Sequence, residues 1–296
     1  MVKLITLTNK NIKKIVCIYQ LHYTNQPSPG IGDFIRGCFY VMQLSKLLNI
    51  EFELDISNHP IEKYIENCGK NQAIKYDKIE WIIGLNRPKH LWKNKNNYFD
   101  IEFANIIIDK LNNYYDSDTY GFFTNAFPIS YNFLNTGKER IKNMLKPTVF
   151  MQEYIDYRLN EMKLEKNTYA TIHIRSGDKY LTNQENMDIQ FINKVKKNID
   201  KIIIPHKKYL VISDCNYLKL ALKSYSNFYI INMQIEHLGG DNMKSSETPG
   251  IMNTLLDFYL MGYSNAIFAL SVYDHISGFS QYCAVINSIP FNYIIL

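Results

Sequence analysis

Short apolar runs alternate with longer segments of helical periodicity along this chain, and this alternation constrains the fold more than any other feature. Alternation of this kind predicts an α/β protein with parallel sheets and right-handed crossover connections. The predicted strands lie at 13–22, 50–56, 79–83, 120–126, 169–174, 208–214, 227–233, 266–270 and 291–296. The predicted helices lie at 34–48, 59–67, 101–111, 137–145, 148–164, 188–202, 217–225 and 251–262, with an apolar helix after residue 280.

The length of the chain predicts two domains. With 296 residues, the chain has room for two α/β domains that each bury a core of their own. Pro147 separates two helical stretches and is the predicted junction. We therefore expect an N-terminal domain over 1–146 and a C-terminal domain over 147–296.

Composition excludes several classes of protein. The net charge is +5, but the lysines are spread through Asn-rich segments, which argues against non-specific nucleic-acid binding. The five cysteines form no CxxC pair, a pattern typical of free thiols in a reducing compartment. No stretch approaches the ~20 apolar residues of a membrane span, and the first residues lack the features of a signal peptide. A cytoplasmic protein without a membrane span is expected.

The run at 169–174 is the strand with the clearest functional signal. It breaks at Ser176-Gly177-Asp178, which places His173 and Arg175 at its carboxyl end, where open α/β sheets bind ligands. Alternation sends these two side chains to the same face. A guanidinium offers a planar fork of donors that matches a phosphate. In the alternative interpretation, Arg175 pairs with Asp178 in solvent.

A second ligand signal follows the first strand. A Pro/Gly-rich turn contains Gly30-Ile31-Gly32 and leads into the predicted helix at 34–48. Strand, Gly-x-Gly loop and helix is an arrangement that turns backbone N–H groups and a helix N-terminus toward an anion. The spacing is not that of the GxGxxG dinucleotide motif. The alternative is a tight turn with a helix that starts at Asp33 as its N-cap.

Other candidate residues lie in loops of both halves. Ser213-Asp214 closes another predicted strand, and Ser277-Gly278-Phe279-Ser280 forms a turn before an apolar helix. The polar stretch 236–250 is expected to be mobile and to face the site. Asp116-Ser117-Asp118 matches the metal-binding triplet of one class of glycosyltransferases, but its position in a loop before a strand disfavours a metal role.

The residues of these stretches and their order along the chain resemble the fucosyltransferase superfamily of GT-B-type glycosyltransferases. That superfamily includes α1,2-, α1,6- and protein O-fucosyltransferases. Residues 173–178 are similar to the H-x-R-R-x-D motif of that superfamily, and Ser213-Asp214 to its second motif. Residues 257–271 and 277–284 are similar to the third, and 29–36 to its G-x-G-N loop. The resemblance implies two Rossmann-like domains with parallel sheets facing across a cleft.

The resemblance also implies a donor and the residues that bind it. A GDP-sugar would be held mainly by the C-terminal domain, with the β-phosphate on Arg175, guanine on Asp214, and the base or ribose on His173. Such enzymes use neither a metal nor another cofactor. The implied donor-binding residues are Gly30, Ile31, Gly32, His173, Arg175, Asp178, Asp214, Ser277, Gly278, Phe279 and Ser280.

Two residues depart from the pattern of the superfamily. Ser176 replaces the second Arg of H-x-R-R, which removes a cation. Asp33 replaces the loop Asn, and a carboxylate there can serve as general base for an acceptor hydroxyl. Asp241 and Glu247 compete for that role. Each of the three carboxylates has the alternative interpretation of a solvated loop residue.

The expected function is an inverting, metal-independent glycosyltransferase that moves fucose from GDP-fucose to a hydroxyl on a glycan or glycoprotein. Arg175 and Asp33 are the expected catalytic residues, and the N-terminal domain is the expected acceptor side. Three alternatives remain open: a transferase of the same fold with another nucleotide-sugar, an inactive nucleotide- or glycan-binding module, and a metal-dependent enzyme built around Asp116 and Asp118.

Overall fold

The computed structural model describes residues 3–296 except 21, 24–25, 28, 67–98, 116, 124–130, 178–179, 181–186 and 240–248, and it describes only the backbone of 22–23, 26–27, 122–123 and 131–136. Two compact units make up the chain, Met1–Lys146 and Pro147–Leu296. The strand predicted at 79–83 lies outside the described residues, as do Cys68, Asp116, Asp178, Asp241 and Glu247.

The N-terminal unit is built on a three-stranded parallel sheet of order β4-β1-β5. Its first strand, KIVCI, is almost entirely buried, as expected for a strand covered on both faces. A short antiparallel pair, β2 and β3, follows the first strand. The strands are β1 (Lys14–Ile18), β2 (His22–Tyr23), β3 (Gln26–Pro27), β4 (Glu51–Asp55) and β5 (Thr119–Phe123). The helices are α1 (Ile31–Leu48), α2 (Ile101–Asn112) and α3 (Tyr131–Met144).

The C-terminal unit contains a five-stranded parallel sheet of order β10-β9-β6-β7-β8. Part of its core is a cluster of mainly Ile, Leu, Val and aromatic side chains from the sheet and from the helices at 189–199 and 216–221. The strands are β6 (Ala170–Arg175), β7 (Tyr209–Ser213), β8 (Phe228–Ile230), β9 (Ile267–Ser271) and β10 (Phe291–Ile295). The helices are α4 (Val149–Glu161), α5 (Ile189–Ile199), α6 (Asn216–Ala221), α7 (Pro249–Gly262) and α8 (Gly278–Asn287).

The α/β class and the parallel sheets predicted from the alternation are confirmed. Two helix predictions were wrong in detail. The segment predicted as a helix at 59–67 is a 3-10 helix, Pro60–Tyr64, because Pro60 starts it and Ile65 is already extended. Helix α3 begins at Tyr131 rather than at 137, so Gly137 lies inside it. No helix among the described residues is long and apolar enough to span a membrane.

Candidate active site

The site predicted around Arg175 lies at the carboxyl edge of the five-stranded sheet. Strand β6 is the central strand, flanked by β7 and β9. The parallel register sets Arg175 beside Ser271 of β9, and Ile174 beside Ser213 of β7. Residues that follow the three strands therefore meet at one edge, which is where open α/β sheets place their ligands.

An ion pair joins the ends of β6 and β7. Arg175 Nη1 lies 2.6 Å from Asp214 Oδ2. The two side chains are only 15% and 10% exposed. A pair this protected from solvent is screened far less than one on the surface. The partner expected in the alternative interpretation, Asp178, lies outside the described residues.

Ser176, at the position where the motif that 173–178 resemble has its second Arg, is bonded to the same carboxylate. Its backbone N–H donates to Asp214 Oδ1 at 2.8 Å, and its hydroxyl donates to the same oxygen at 2.5 Å. Ser176 is fully buried. Asp214 thus accepts hydrogen bonds on both oxygens from the turn that ends β6, and it fixes Arg175 through one of them. The sequence predicted that these residues share an edge, but not this contact.

Gly177 is required by the turn after β6. Its φ is +101°, a conformation that L side chains rarely adopt. A Cβ atom built on it would also lie 3.0 Å from Cγ2 of Val272 in the β9–α8 loop. The same loop is tied back to β6, because Val272 N–H donates to the carbonyl oxygen of Arg175 at 3.3 Å. Glycine therefore lets the two loops approach each other at the site.

An aromatic ring covers the guanidinium. Arg175 Cζ lies 5.8 Å from the centroid of the Tyr273 ring. This distance is within the range of a cation–π contact, which is worth about 0.5–2 kcal/mol depending on desolvation. Between Asp214 and Tyr273, the guanidinium is oriented before any ligand arrives. Sequence reasoning assigned no role to Tyr273, because only the fold brings its loop against β6.

His173 lies in β6 two residues before Arg175 and is 4% exposed. Burial lowers the pKa of its imidazole to about 4, Asp214 opposes this shift, and Arg175 adds to it. The ring is therefore neutral near pH 7. Its Nδ1 is buried and has no hydrogen-bond partner among the described residues. A buried polar atom without a partner is costly, which makes it a good contact for a bound ligand.

The N-terminus of α8 lies next to the imidazole. The ring of Phe279, in the first turn of α8, has its centroid 5.5 Å from that of His173. Ser277 is the N-cap residue, yet its side chain makes no capping hydrogen bond. The first N–H groups of a helix have no partner inside it and attract anions. The fold thus brings the predicted turn 277–280 to the same edge of the sheet as His173. Ser280 is buried, and its hydroxyl lies 3.4 Å from the Ser277 carbonyl oxygen.

In the N-terminal unit, the predicted Gly-x-Gly loop lies at the start of α1. Gly30 is the N-cap residue, and the helix begins at Ile31, so Asp33 is the third helical residue. The alternative with Asp33 as the N-cap is therefore wrong. The hydroxyl of Tyr19 donates to the Pro29 carbonyl oxygen at 2.9 Å and holds the turn onto the end of β1. The N-terminus of α1 is thus formed by Gly30, Ile31 and Gly32, and the anion-binding hypothesis requires such a position for them.

Two buried charged residues were given no individual role from the sequence, although Asp257 is the first residue of the stretch compared with the third motif. Asp257 of α7 and Lys219 of α6 are 5% and 1% exposed. Burial raises the pKa of Asp257 to about 6, and Lys219 is the one described group that opposes the shift. Burial lowers the pKa of Lys219, whose Nζ donates to the Ile231 carbonyl oxygen at 2.9 Å. A single carboxylate in the apolar run LLDFYLMG was the available sequence signal.

The described residues contain no group of three or more His, Cys, Asp or Glu side chains that could hold a metal ion. Of the Asp116-Ser117-Asp118 triplet, only the last two residues are described. Asp118 accepts hydrogen bonds from Lys13 N–H at its carbonyl oxygen and from the Thr119 hydroxyl at Oδ1. These are contacts of a residue that leads into a strand.

Comparison with known proteins gives structural matches but no sequence match. No protein-family pattern matches the chain, and no curated protein matches it in sequence. Among solved structures, the fucosyltransferase NodZ from Bradyrhizobium superimposes with a TM-score of 0.53 and 12% identity over 92% of each chain. POFUT1 in complex with GDP gives a TM-score of 0.51 and 12% identity, over 97% of this chain and 100% of the other.

A plant enzyme gives a similar result. A mutant of Arabidopsis thaliana FUT1 in complex with GDP superimposes with a TM-score of 0.57 and 11% identity, over 97% of this chain and 72% of the other. Identity this low carries information about the fold alone. The chain has the two-sheet α/β fold of the GT-B-type fucosyltransferases.

Proposed function

We propose that this protein is an inverting, metal-independent glycosyltransferase that moves fucose from GDP-fucose to a hydroxyl of a glycan or glycoprotein. The single observation that carries the proposal is the oriented, largely buried Arg175 at the carboxyl edge of the central strand. His173, two residues earlier on the same strand, contacts Phe279 in the first turn of α8. The shared fold adds support, because one NodZ structure comes from a crystal soaked with GDP-fucose and one POFUT1 structure is a complex with GDP.

The chemistry needs positive charge where the leaving group forms. As the acceptor oxygen attacks the anomeric carbon, the bond from that carbon to the diphosphate oxygen breaks and its electron pair passes to the diphosphate. Arg175 stabilises the negative charge that develops on the diphosphate, and the backbone N–H groups of Gly278 and Phe279 at the start of α8 contribute to this. A guanidinium and a helix N-terminus supply the charge that a divalent cation supplies in other transferases. Pre-orientation by Asp214 and Tyr273 lets Arg175 act without reorganising.

Neutral His173 is assigned a hydrogen bond to the bound GDP-sugar. Its free Nδ1 can either donate or accept, depending on the tautomer. A neutral ring beside Arg175 adds no charge that would have to be desolvated. Asp178, which lies outside the described residues, keeps the donor-binding role that the resemblance implies, again as a proposal.

For Asp214 we propose a role different from the expected reading of guanine. Both of its oxygens already accept hydrogen bonds from Arg175 and Ser176. We therefore assign Asp214 to holding Arg175 in place. Asp257 is the stronger candidate for binding guanine, since this nucleobase presents two adjacent N–H donors that suit a desolvated carboxylate. Its helix neighbour Phe258 packs on Phe279 at 5.4 Å, which in turn packs on His173.

We assign the acceptor to the unit 1–146 and the donor to the unit 147–296. Gly30, Ile31 and Gly32 keep their expected donor-binding role as part of the proposal, because the N–H groups at the start of α1 suit an anion. Asp33 is the carboxylate of this loop and remains a candidate for the general base. Its place in the first turn of α1 also gives it a structural role, because a negative charge there stabilises a helix.

A nucleotide screen tests the proposal. GDP should raise the melting temperature of the protein more than UDP, CMP or ADP does, because a ligand that binds only the native state stabilises it. GDP-fucose should then be turned over at the same rate with and without a chelator. A preference for UDP would contradict the donor assignment, and loss of turnover with chelator would contradict metal independence.

Two alternatives are tested separately. Ser176 stands where the motif that 173–178 resemble has a second Arg, and this lost cation is the reason to test a donor other than GDP-fucose. Comparison of GDP-fucose with GDP-mannose as donors separates these two cases. GDP binding without turnover of either donor would instead identify a nucleotide-binding module.

A further inference from the structure

The loop between β9 and α8, residues 272–277, carries a histidine and a carboxylate beside the site. Its backbone is tied to β6 by the hydrogen bond from Val272 N–H to the Arg175 carbonyl oxygen, at 3.3 Å. Its Tyr273 ring covers the guanidinium of Arg175 at 5.8 Å. The loop therefore has a fixed position next to the group that receives the leaving diphosphate.

The His275 imidazole contacts Tyr273 with its ring face and Asp274 with a ring nitrogen. Its ring stacks on that of Tyr273, with centroids 5.2 Å apart and planes at 29°. Its Nδ1 lies 3.2 Å from Asp274 Oδ1. Because a carboxylate only accepts hydrogen bonds, Nδ1 carries the proton in this contact, and in the neutral tautomer the lone pair is on Nε2. The side chain of His275 is 69% exposed and can be reached by a substrate in solution.

A solvated ion pair on a surface loop would be the ordinary interpretation of Asp274 and His275. Two contacts argue for more than that. The Tyr273 ring contacts both His275 and Arg175, so the imidazole lies one aromatic ring away from the guanidinium that is proposed to bind the leaving group. An imidazole whose Nδ1 is bonded to a carboxylate is also the arrangement in which Nε2 acts as a base and the imidazolium is stabilised.

We propose that His275 is the general base of the transfer reaction, with Asp274 as its positioning residue. The inference depends on the glycosyltransferase activity proposed above. Nε2 of His275 takes the proton of the acceptor hydroxyl, and the oxygen lone pair forms the bond to the anomeric carbon. The bond to the diphosphate breaks, and its electron pair goes to the diphosphate oxygen held by Arg175. The imidazolium then releases the proton to solvent. Asp33 is the competing base.

The test compares His275→Ala with a matched control, His206→Asn. His206 is an exposed histidine that precedes the amino end of β7, opposite the site, and its positive φ is compatible with Asn. For each variant, GDP affinity is measured by calorimetry. GDP release from GDP-fucose is measured with water and with a panel of free sugars as acceptors. Melting temperatures show that the variants are folded.

The proposal predicts that His275→Ala binds GDP within twofold of wild type but loses turnover by about 10²-fold or more. Added imidazole should restore part of the rate in His275→Ala and none in Asp33→Asn. Asp274→Asn should lower turnover by a smaller factor, and His206→Asn should leave it unchanged. Rescue by imidazole separates a base from a merely structural residue.

Two results would overturn the proposal while leaving the proposed function intact: turnover of His275→Ala within threefold of wild type, or a loss that imidazole does not restore. A large loss in Asp33→Asn with normal His275→Ala would transfer the role to Asp33. If the wild-type protein neither binds GDP nor releases it from GDP-fucose, the proposed function itself fails, and the base assignment fails with it.

Discussion

Removing the Arg175 guanidinium should affect catalysis and stability separately, and the structure allows the two effects to be told apart. Arg175→Met keeps most of the apolar stem but deletes the donors to the diphosphate. Loss of one well-placed donor to developing charge lowers turnover by about 10²–10³-fold, equivalent to ~2.7–4 kcal/mol. The same change leaves the Asp214 carboxylate buried without its cation.

The stability effect follows from the contacts of Asp214. Breaking a buried ion pair by removal of one partner costs about 3–5 kcal/mol. We expect the lower end, near 3 kcal/mol, because Ser176 still donates two hydrogen bonds to Oδ1. For a unit of this size, such a loss lowers the melting temperature by roughly 6–12 °C.

A double variant, Arg175→Met with Asp214→Asn, serves as the control. The asparagine oxygen still accepts from Ser176 but carries no charge, so most of the lost stability should return. Turnover should stay as low as in the single variant, because the diphosphate contact is still missing. Melting temperature and GDP release from GDP-fucose are the two measurements. Turnover of Arg175→Met within threefold of wild type would refute the phosphate role, and failure of the second substitution to restore stability would refute the ion-pair argument.

Three further changes have expected outcomes. Gly177→Ala should destabilise the protein by about 1–3 kcal/mol in urea unfolding and weaken GDP binding. The reasons are the positive φ of Gly177 and the close approach of Val272. Unchanged stability would mean that the turn relaxes freely. Ser176→Arg introduces the second Arg of the motif that 173–178 resemble. It should lower the melting temperature without raising turnover, since a fully buried position must take a long cation. Faster turnover would show that the second cation was simply missing. The carboxyl of Asp257 has a pKa raised from 3.8 to about 6, so its ionisation opposes folding. The stability of wild type relative to Asp257→Asn should therefore be greatest below pH 4 and fall by roughly 3 kcal/mol as the pH rises to 6, then level off. A flat difference between pH 4 and 6 in urea unfolding would show that Asp257 is not desolvated.

The strands and helices could be predicted because each corresponds to a local pattern. The apolar run at 169–174 and the periodic segment at 34–48 gave β6 and α1 within a few residues of their observed ends. The start of α1 was missed because Gly30 takes the N-cap position through its backbone alone. A local side-chain signal pointed instead to Asp33.

The contacts of the site could be predicted only in part. Parallel strands bring their carboxyl ends together, so His173, Arg175 and Asp214 were expected at one edge of the sheet. The partner of Arg175 depends on the register between β6 and β7, and the orientation of Tyr273 depends on the β9–α8 loop packing against Gly177. Neither is encoded in a local pattern. A nearby acidic residue, Asp178, was therefore the partner that sequence alone suggested.

The central claim is that Arg175 and the start of α8 hold the diphosphate of GDP, and calorimetric titration with GDP, GMP and guanosine tests it most directly. We predict that wild type binds GDP at least tenfold more tightly than GMP. Arg175→Met with Asp214→Asn should lose most of this preference and keep only the part that the N–H groups at the start of α8 supply. If wild type binds guanosine or GMP as tightly as GDP, or if the double variant keeps the full preference for GDP, Arg175 does not bind the diphosphate.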